Sequence, residues 1–252
     1  MQVEGSTALV SGAGRGLGRA LVEALVNCGA RKVYAGVRHR AAVADSRIVP
    51  VQLDITDSAQ VAQAVARCSD VTLLVNNAGI AAAGGVVDGS LETARALMDT
   101  NVFGTVNMCS QFAPVLASNG GGAVVNVLSI VSFMSAPGMA ALCASKAAMW
   151  SLTNSLRMEL RGQGTQVLAV HPTFIDTDMS AGFDVPKLDP ATVAARIVAA
   201  VVAGEEELLL GERTREVKDA LPRDLELIYP DLERQAGLAV SSESLSRSDA
   251  QA

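Results

Sequence analysis

The chain is poor in the residues that build metal centres. It has two histidines and four cysteines in 252 residues, and Cys28, Cys68, Cys109 and Cys143 form no CxxC pair. That argues against a zinc site, so no metal is expected and each thiol reads as a small buried side chain in a reducing compartment. Aromatic residues are scarce, with five Phe, two Tyr and one Trp. Charged residues make up 18%, too few for disorder through the bulk of the chain. Acidic side chains outnumber basic ones, and the net charge of −6 argues against a nucleic-acid surface. No apolar run approaches the roughly 20 residues that cross a bilayer. The opening MQVEGSTALV has neither the basic nor the apolar region of a signal peptide, so a cytoplasmic protein is expected. No linker rich in Pro or Ser interrupts the chain and no repeat divides it. One domain is expected over residues 1–236, and the Ser-rich stretch 237–252 reads as a disordered tail.

What is abundant is aliphatic. Half of the residues are hydrophobic, and small and β-branched side chains dominate, which suits helices packed on a sheet. Strand-like and helix-like segments alternate. Apolar runs at 7–11, 32–37, 48–53, 71–75, 123–128, 166–171 and 207–210 predict seven strands, with Pro50 marking an irregular start to the third. Helical spacing covers 17–27, 58–68, 91–117 (with a bend near Gly104), 140–161 and 191–203, and 213–235 reads as a helical extension. This order predicts an α/β, Rossmann-like, doubly wound parallel sheet with helices on both faces and right-handed crossovers.

The segment SGAGRGLG, from Ser11 to Gly18, follows the first strand and opens the first helix. Gly12, Gly16 and Gly18, with Leu17 between the last two, let the backbone turn tightly and approach a pyrophosphate. The helix N-terminus favours its charge. The second strand supplies no carboxylate to select a free ribose 2′-hydroxyl: Val37 stands where that acid would sit, and Arg38 follows. Arg15 lies inside the loop. Two guanidiniums near the adenosine ribose favour a 2′-phosphate, so NADP(H) is the expected cofactor.

Further segments fall in a recognisable order. Asp54 lies in LDITD, Asn76 to Gly79 spell NNAG, Asn101 lies in DTNVFGT, Ser129 in NVLSIVS, Lys146 in LCASKAA, and His171 to Thr177 read HPTFIDT. Over roughly residues 5–210 the chain resembles the short-chain dehydrogenase/reductase superfamily. The resemblance implies that Asp54, with Ile55, meets the adenine. It places Asn77, Ala78 and Gly79 along the adenosine ribose, and Pro172, Ile175 and Thr177 at the nicotinamide end. Lys146 would bind the nicotinamide ribose hydroxyls and share catalysis with Ser129 and Asn101. By the same resemblance the two long helices form a seam between subunits, implying a homodimer or homotetramer.

The family's tyrosine is missing. Leu142 stands four residues before Lys146, and Met139 occupies the position used by related enoyl reductases. Tyr34 and Tyr229 match no catalytic position, although Tyr229 could reach a site from the extension. Without this acid, reduction of a simple ketone loses about 10²- to 10⁴-fold in rate. Three readings remain open. The first is an NADP(H)-binding enzyme acting on a small imine, enone or other C=X substrate that does not need that proton, or one using Cys143, Ser132 or Thr173 as a replacement donor. The second is a non-redox enzyme of cyclase, isomerase or dehydratase type, suited to specialised biosynthesis, with Leu142, Met139 and Phe174 lining its pocket. The third is a catalytically silent dinucleotide-binding protein. His171 reads as a loop anchor, and Asp176 and Asp178 as caps of a short helix.

Overall fold

The computed structural model describes residues 1–39 and 44–237. Seven strands form one parallel sheet: β1 (Thr7–Ser11), β2 (Lys32–Val37), β3 (Ile48–Gln52), β4 (Leu73–Asn76), β5 (Gly122–Val127), β6 (Thr165–Pro172) and β7 (Glu207–Leu210). Their order is β3-β2-β1-β4-β5-β6-β7. Every residue of β1 and β4 is buried, because helices cover both faces of a parallel sheet; hence the unbroken apolar runs. The edge strand β3 tolerates Pro50, which removes a donor from one ladder only.

Alternate side chains divide the interior into two cores. On one face Val10, Val75 and Val125 pack with Leu21 and Leu25 of α1 (Gly16–Asn27) and with Ile197 and Val201. On the other, Leu9, Leu74 and Val124 meet Val61 of α2 (Ser58–Arg67), and Met108, Phe112 and Leu116.

The predicted helix over 91–117 has three parts: α3 (Leu91–Met98), a π-helical turn (Asp99–Gly104) and α4 (Thr105–Ser118). A Cβ on Gly104 would lie 2.8 Å from Ile55 Cγ1, so only glycine lets this turn approach the loop after β3. The long helix α5 (Ala140–Arg161) follows its predicted span. Local chemistry also sets α6 (Pro190–Ala203). Asp189 accepts a bond from Thr192 N at 2.8 Å, Pro190 opens the first turn, and Gly204 closes it at φ 76°.

The extension departs from the single predicted helix. It breaks into α7 (Glu212–Ala220), α8 (Asp224–Leu227) and α9 (Tyr229–Gln235). Pro222 and Pro230 lack the amide hydrogens that a continuous helix needs. Apart from Gly237, the expected tail at 237–252 lies outside the described residues. Among the described residues no helix is long and apolar enough to cross a membrane.

The chain leaves β3 and re-enters the sheet as β4 on the far side of β1. Such a reversal opens a crevice beyond the carboxyl ends of the strands. The glycine loop, Ser129 and Pro172 all follow or end strands at this rim.

Candidate functional site

The glycine loop leaves β1 through Gly12 at φ 66° and enters α1 at Gly16, φ 52°. Both conformations favour glycine. A Cβ on Gly12 would stand 2.9 Å from Ala78 Cα, and one on Gly18 would overlap the Gly12 carbonyl. The first turn of α1 has no side-chain cap and no acidic residue, so its amide hydrogens are available to an anion. This cradle fits a dinucleotide pyrophosphate.

The loop is braced from the neighbouring strand. Ser11 Oγ accepts from the amides of Asn77 and Ala78, both at 3.1 Å. Asn77 Nδ2 donates to the carbonyls of Ser11 at 3.0 Å and Gly12 at 3.2 Å. Asn77 and Ala78, expected beside the ribose, therefore hold the glycine loop. Ser11 is the brace that sequence reasoning did not single out, and its place at the end of the first strand, next to Gly12, was the only signal.

At the adenosine side, Gly14 faces Val37, with its Cβ position 3.6 Å from Val37 Cγ1. Arg38 follows β2. Asp54 Oδ1 accepts from Thr56 N at 3.0 Å and Thr56 Oγ1 at 2.7 Å. The buried Ile55 lies against the Gly104 turn. Arg15 Nη1, from the glycine loop, donates to Asp178 at 2.9 Å, in the loop after β6, and both side chains are exposed. Asp178 accordingly pairs with Arg15 instead of capping; the short turn after Thr177 is held by Ser180 Oγ, which accepts from Thr177 N at 3.3 Å.

At the other end, Thr177 Cγ2 lies 3.0 Å from the Gly16 Cβ position. Pro172 ends β6, and Ile175 bridges Leu188 at the base of a loop in which Phe174 and Phe183 pack with ring centroids 5.0 Å apart. The branched Thr173 is accommodated by Gly211, whose Cβ would meet Thr173 Cγ2 at 2.9 Å.

Lys146, on α5, donates from Nζ to the Val127 carbonyl at 3.0 Å, and burial pushes its pKa down to about 8. Ser129 Oγ accepts from Val131 N at 3.3 Å, which leaves its own hydrogen free to donate outward. Asn101 is buried in the π-helical turn. Its Oδ1 accepts from Ile80 N at 2.9 Å, and its Nδ2 donates to Ile80 O at 3.0 Å and Ser145 Oγ at 3.1 Å. With both amide hydrogens engaged, it ties the loop that includes Gly79 to α5. Gly79 permits this approach, with its Cβ position 3.1 Å from Asn101 Oδ1.

Leu142 is buried with Leu97, Val131 and Phe133, and with Val217 and Ile228 of the C-terminal extension; Met139 packs against the same cluster. Two of the candidate replacement donors accept bonds from nearby backbone amides. Cys143 Sγ accepts from Ala136 N at 3.3 Å and burial raises its pKa; Ser132 Oγ accepts from Ser129 N at 3.3 Å. Tyr229 Oη accepts from Ser135 N at 3.4 Å, so it reaches the segment after Ser129. Tyr34 Oη donates to Asp70 at 2.9 Å, ahead of β4 and so at the amino ends of the strands, away from the crevice.

Comparison with known proteins gives a consistent result. Residues 6–185 match the short chain dehydrogenase family. A short chain dehydrogenase from Burkholderia cenocepacia J2315, solved in complex with NADP, is 44% identical, with a TM-score of 0.88 over 92% of this chain and 99% of that one. Sorbitol dehydrogenase from Cereibacter sphaeroides is 32% identical over 88% of this chain and 85% of its own length. Carbonyl reductase [NADPH] 2 from Sus scrofa is 35% identical over 71% of this chain and 75% of its own length. The chain belongs to the short-chain dehydrogenase family.

Proposed function

We propose that this protein is an NADP(H)-dependent oxidoreductase whose substrate is a small, largely apolar molecule carrying an imine or a conjugated C=C bond. The observation that carries this reading is Leu142, buried and apolar, four residues before Lys146, where the family's proton-donating tyrosine stands. Ser129 and Lys146 remain at the crevice, so hydride chemistry keeps its framework while the usual acid is gone. The absence of a carboxylate at Val37, together with Arg38, supports NADP(H) over NAD(H). The NADP-bound relative points the same way.

NADPH, when bound, supplies the hydride. The chain holds it by the glycine cradle and by Lys146, whose ammonium suits the ribose hydroxyls. Ser129 Oγ–H donates to the substrate heteroatom that gains electron density. A protonated imine accepts hydride at carbon and needs no further proton. A conjugated enone takes hydride at the β-carbon, and its enolate takes a proton from water at the α-carbon. Neither route asks anything of residue 142. Leu142, Met139 and Phe174 supply apolar surface on the substrate side. Exposed Phe103, Val106, Leu152 and Met158 on the outer sides of the π-helical turn, α4 and α5 support a homodimer across these helices. All four cysteines are unpaired and three are buried, which supports a cytoplasmic setting.

The test offers purified protein NADPH with matched imines, enones and ketones and follows nicotinamide absorbance. Imine or enone reduction at least about 10²-fold faster than ketone reduction is expected. Equal ketone turnover sinks the reading, as does product formation with the cofactor unchanged.

A further inference from the structure

Behind Ser129 lies a polar and aromatic cluster, with His171 and Phe133 buried and Glu207 and Lys218 half-buried, that the proposed chemistry does not use. His171, in β6, is 0% exposed. Its Nδ1 stands 3.2 Å from the Ser129 carbonyl oxygen, and its Nε2 stands 3.8 Å from Glu207 Oε1 at the start of β7. Lys218, on α7, binds that same Glu207 oxygen at 2.7 Å. The Lys218 ammonium also lies 4.5 Å from the Phe133 ring centroid and 4.7 Å from that of Trp150. Phe133 stacks on the His171 ring at 4.2 Å. The cluster thus runs from the C-terminal extension, through two strands, to the backbone of the serine.

The chemistry of the imidazole sets its state. Nδ1 faces a carbonyl oxygen and must carry the hydrogen; Nε2 then presents a lone pair towards a carboxylate. That juxtaposition is tolerable only because Lys218 neutralises Glu207. A doubly protonated ring would satisfy both faces, but burial disfavours the charge, and Lys218 and Lys146 oppose it further. The neutral Nδ1–H ring therefore gives one hydrogen bond, to Ser129, and no second proton.

We propose that His171 is a positioning residue for Ser129, held in its neutral Nδ1–H form by the Glu207–Lys218 pair, so that the C-terminal extension controls the orientation of the substrate-facing hydroxyl. This rests on the reading of Ser129 as the group that meets substrate. The Ser129 peptide is otherwise fixed only locally: its amide donates to Ser132 Oγ and its carbonyl accepts from Ser132 N at 3.0 Å. One residue earlier Leu128 N donates to the Val170 carbonyl at 2.8 Å, and His171 adds a side-chain tie from β6 to the Ser129 carbonyl itself.

The experiment compares His171→Leu and His171→Asn in the full chain with NADPH. An asparagine Nδ2 occupies nearly the place of imidazole Nδ1 and can keep the bond. With His171→Leu, kcat is expected to fall roughly ten- to a hundredfold, with NADPH affinity unchanged; His171→Asn restores most of it. Wild-type kcat in His171→Leu, or equal impairment of both variants at equal thermal midpoints, overturns the proposal. If the wild type reduces none of the offered substrates, the proposed function fails separately. The positioning role is then read from the amide signals of Ser129 to Ser132 in the NADP-bound protein. These must move in His171→Leu and return in His171→Asn, and a failure of either overturns it. Should His171→Leu not fold, Lys218→Met serves. Freeing Glu207 is expected to raise the midpoint of the His171 ring titration by NMR, and an unchanged midpoint overturns the proposal.

Discussion

Position 142 carries the clearest residue-scale prediction. Leu142→Tyr restores a hydroxyl four residues before Lys146, and ketone reduction is expected to rise by about 10²- to 10⁴-fold. The larger ring enters a cluster formed with Leu97, Val131 and Ile228, so a loss of about 1–3 kcal/mol in stability accompanies the gain. Steady-state kinetics and thermal melting check the two outcomes; no gain in rate means that the pocket differs beyond this side chain. Lys146 carries a second prediction. Its pKa lies near 8 because burial disfavours the ammonium, so that form predominates below pH 8 and is lost as pH rises through it. Accordingly kcat/KM should fall on the alkaline side with a midpoint near 8, and Lys146→Met should remove the limb together with most of the activity. A flat profile across that range refutes the assignment.

At the scale of elements, the junction of β1 with α1 tolerates little. Gly18 lies inside the helix, yet its missing Cβ is what lets the helix start against the Gly12 carbonyl. Gly18→Ala is expected to cost about 1–3 kcal/mol and to weaken NADPH binding at least about tenfold, measured by calorimetry and fluorescence titration. Binding at wild-type affinity means that the loop has another conformation in solution. The π-helical turn is a second such device. It presents Asn101 inward, where one amide side chain joins Ile80 to Ser145. A regular helix through Asp99–Gly104 would change the direction of that side chain. The predicted bend at Gly104 locates the irregularity, but the extra residue per turn arises from contacts with Ile55 and Ser145, which are distant in sequence.

For the whole molecule, the outer faces of the π-helical turn and α5 leave Phe103 60% and Met158 71% exposed. We expect sedimentation analysis to find a dimer, and Phe103→Glu with Met158→Glu to shift it towards monomer while NADPH binding persists. A wild-type monomer at micromolar concentration rejects this interface. The alternation of strands and helices was legible because each strand is an apolar run of a few residues and each helix has a 3.6-residue period, whereas the order of the strands in the sheet came from the tertiary structure. Local chemistry such as Asp189, Pro190 and Gly204 also marks its own boundaries. The extension was less legible: helical spacing runs through 213–235, and Pro222 and Pro230 decide where it breaks.

The amino-acid sequence by itself determined the parallel α/β architecture, the glycine cradle, the absence of an acid after β2 and the leucine ahead of Lys146. These depend on residue type and short-range spacing, which the chain carries in linear form. Only the tertiary structure decided that Arg15 turns to Asp178, that Asn77 braces the glycine loop and that His171 reaches the Ser129 carbonyl. Each joins residues 42 to 163 positions apart. Which donor meets which acceptor across such distances depends on how helices and strands stack, and burial then sets the protonation state.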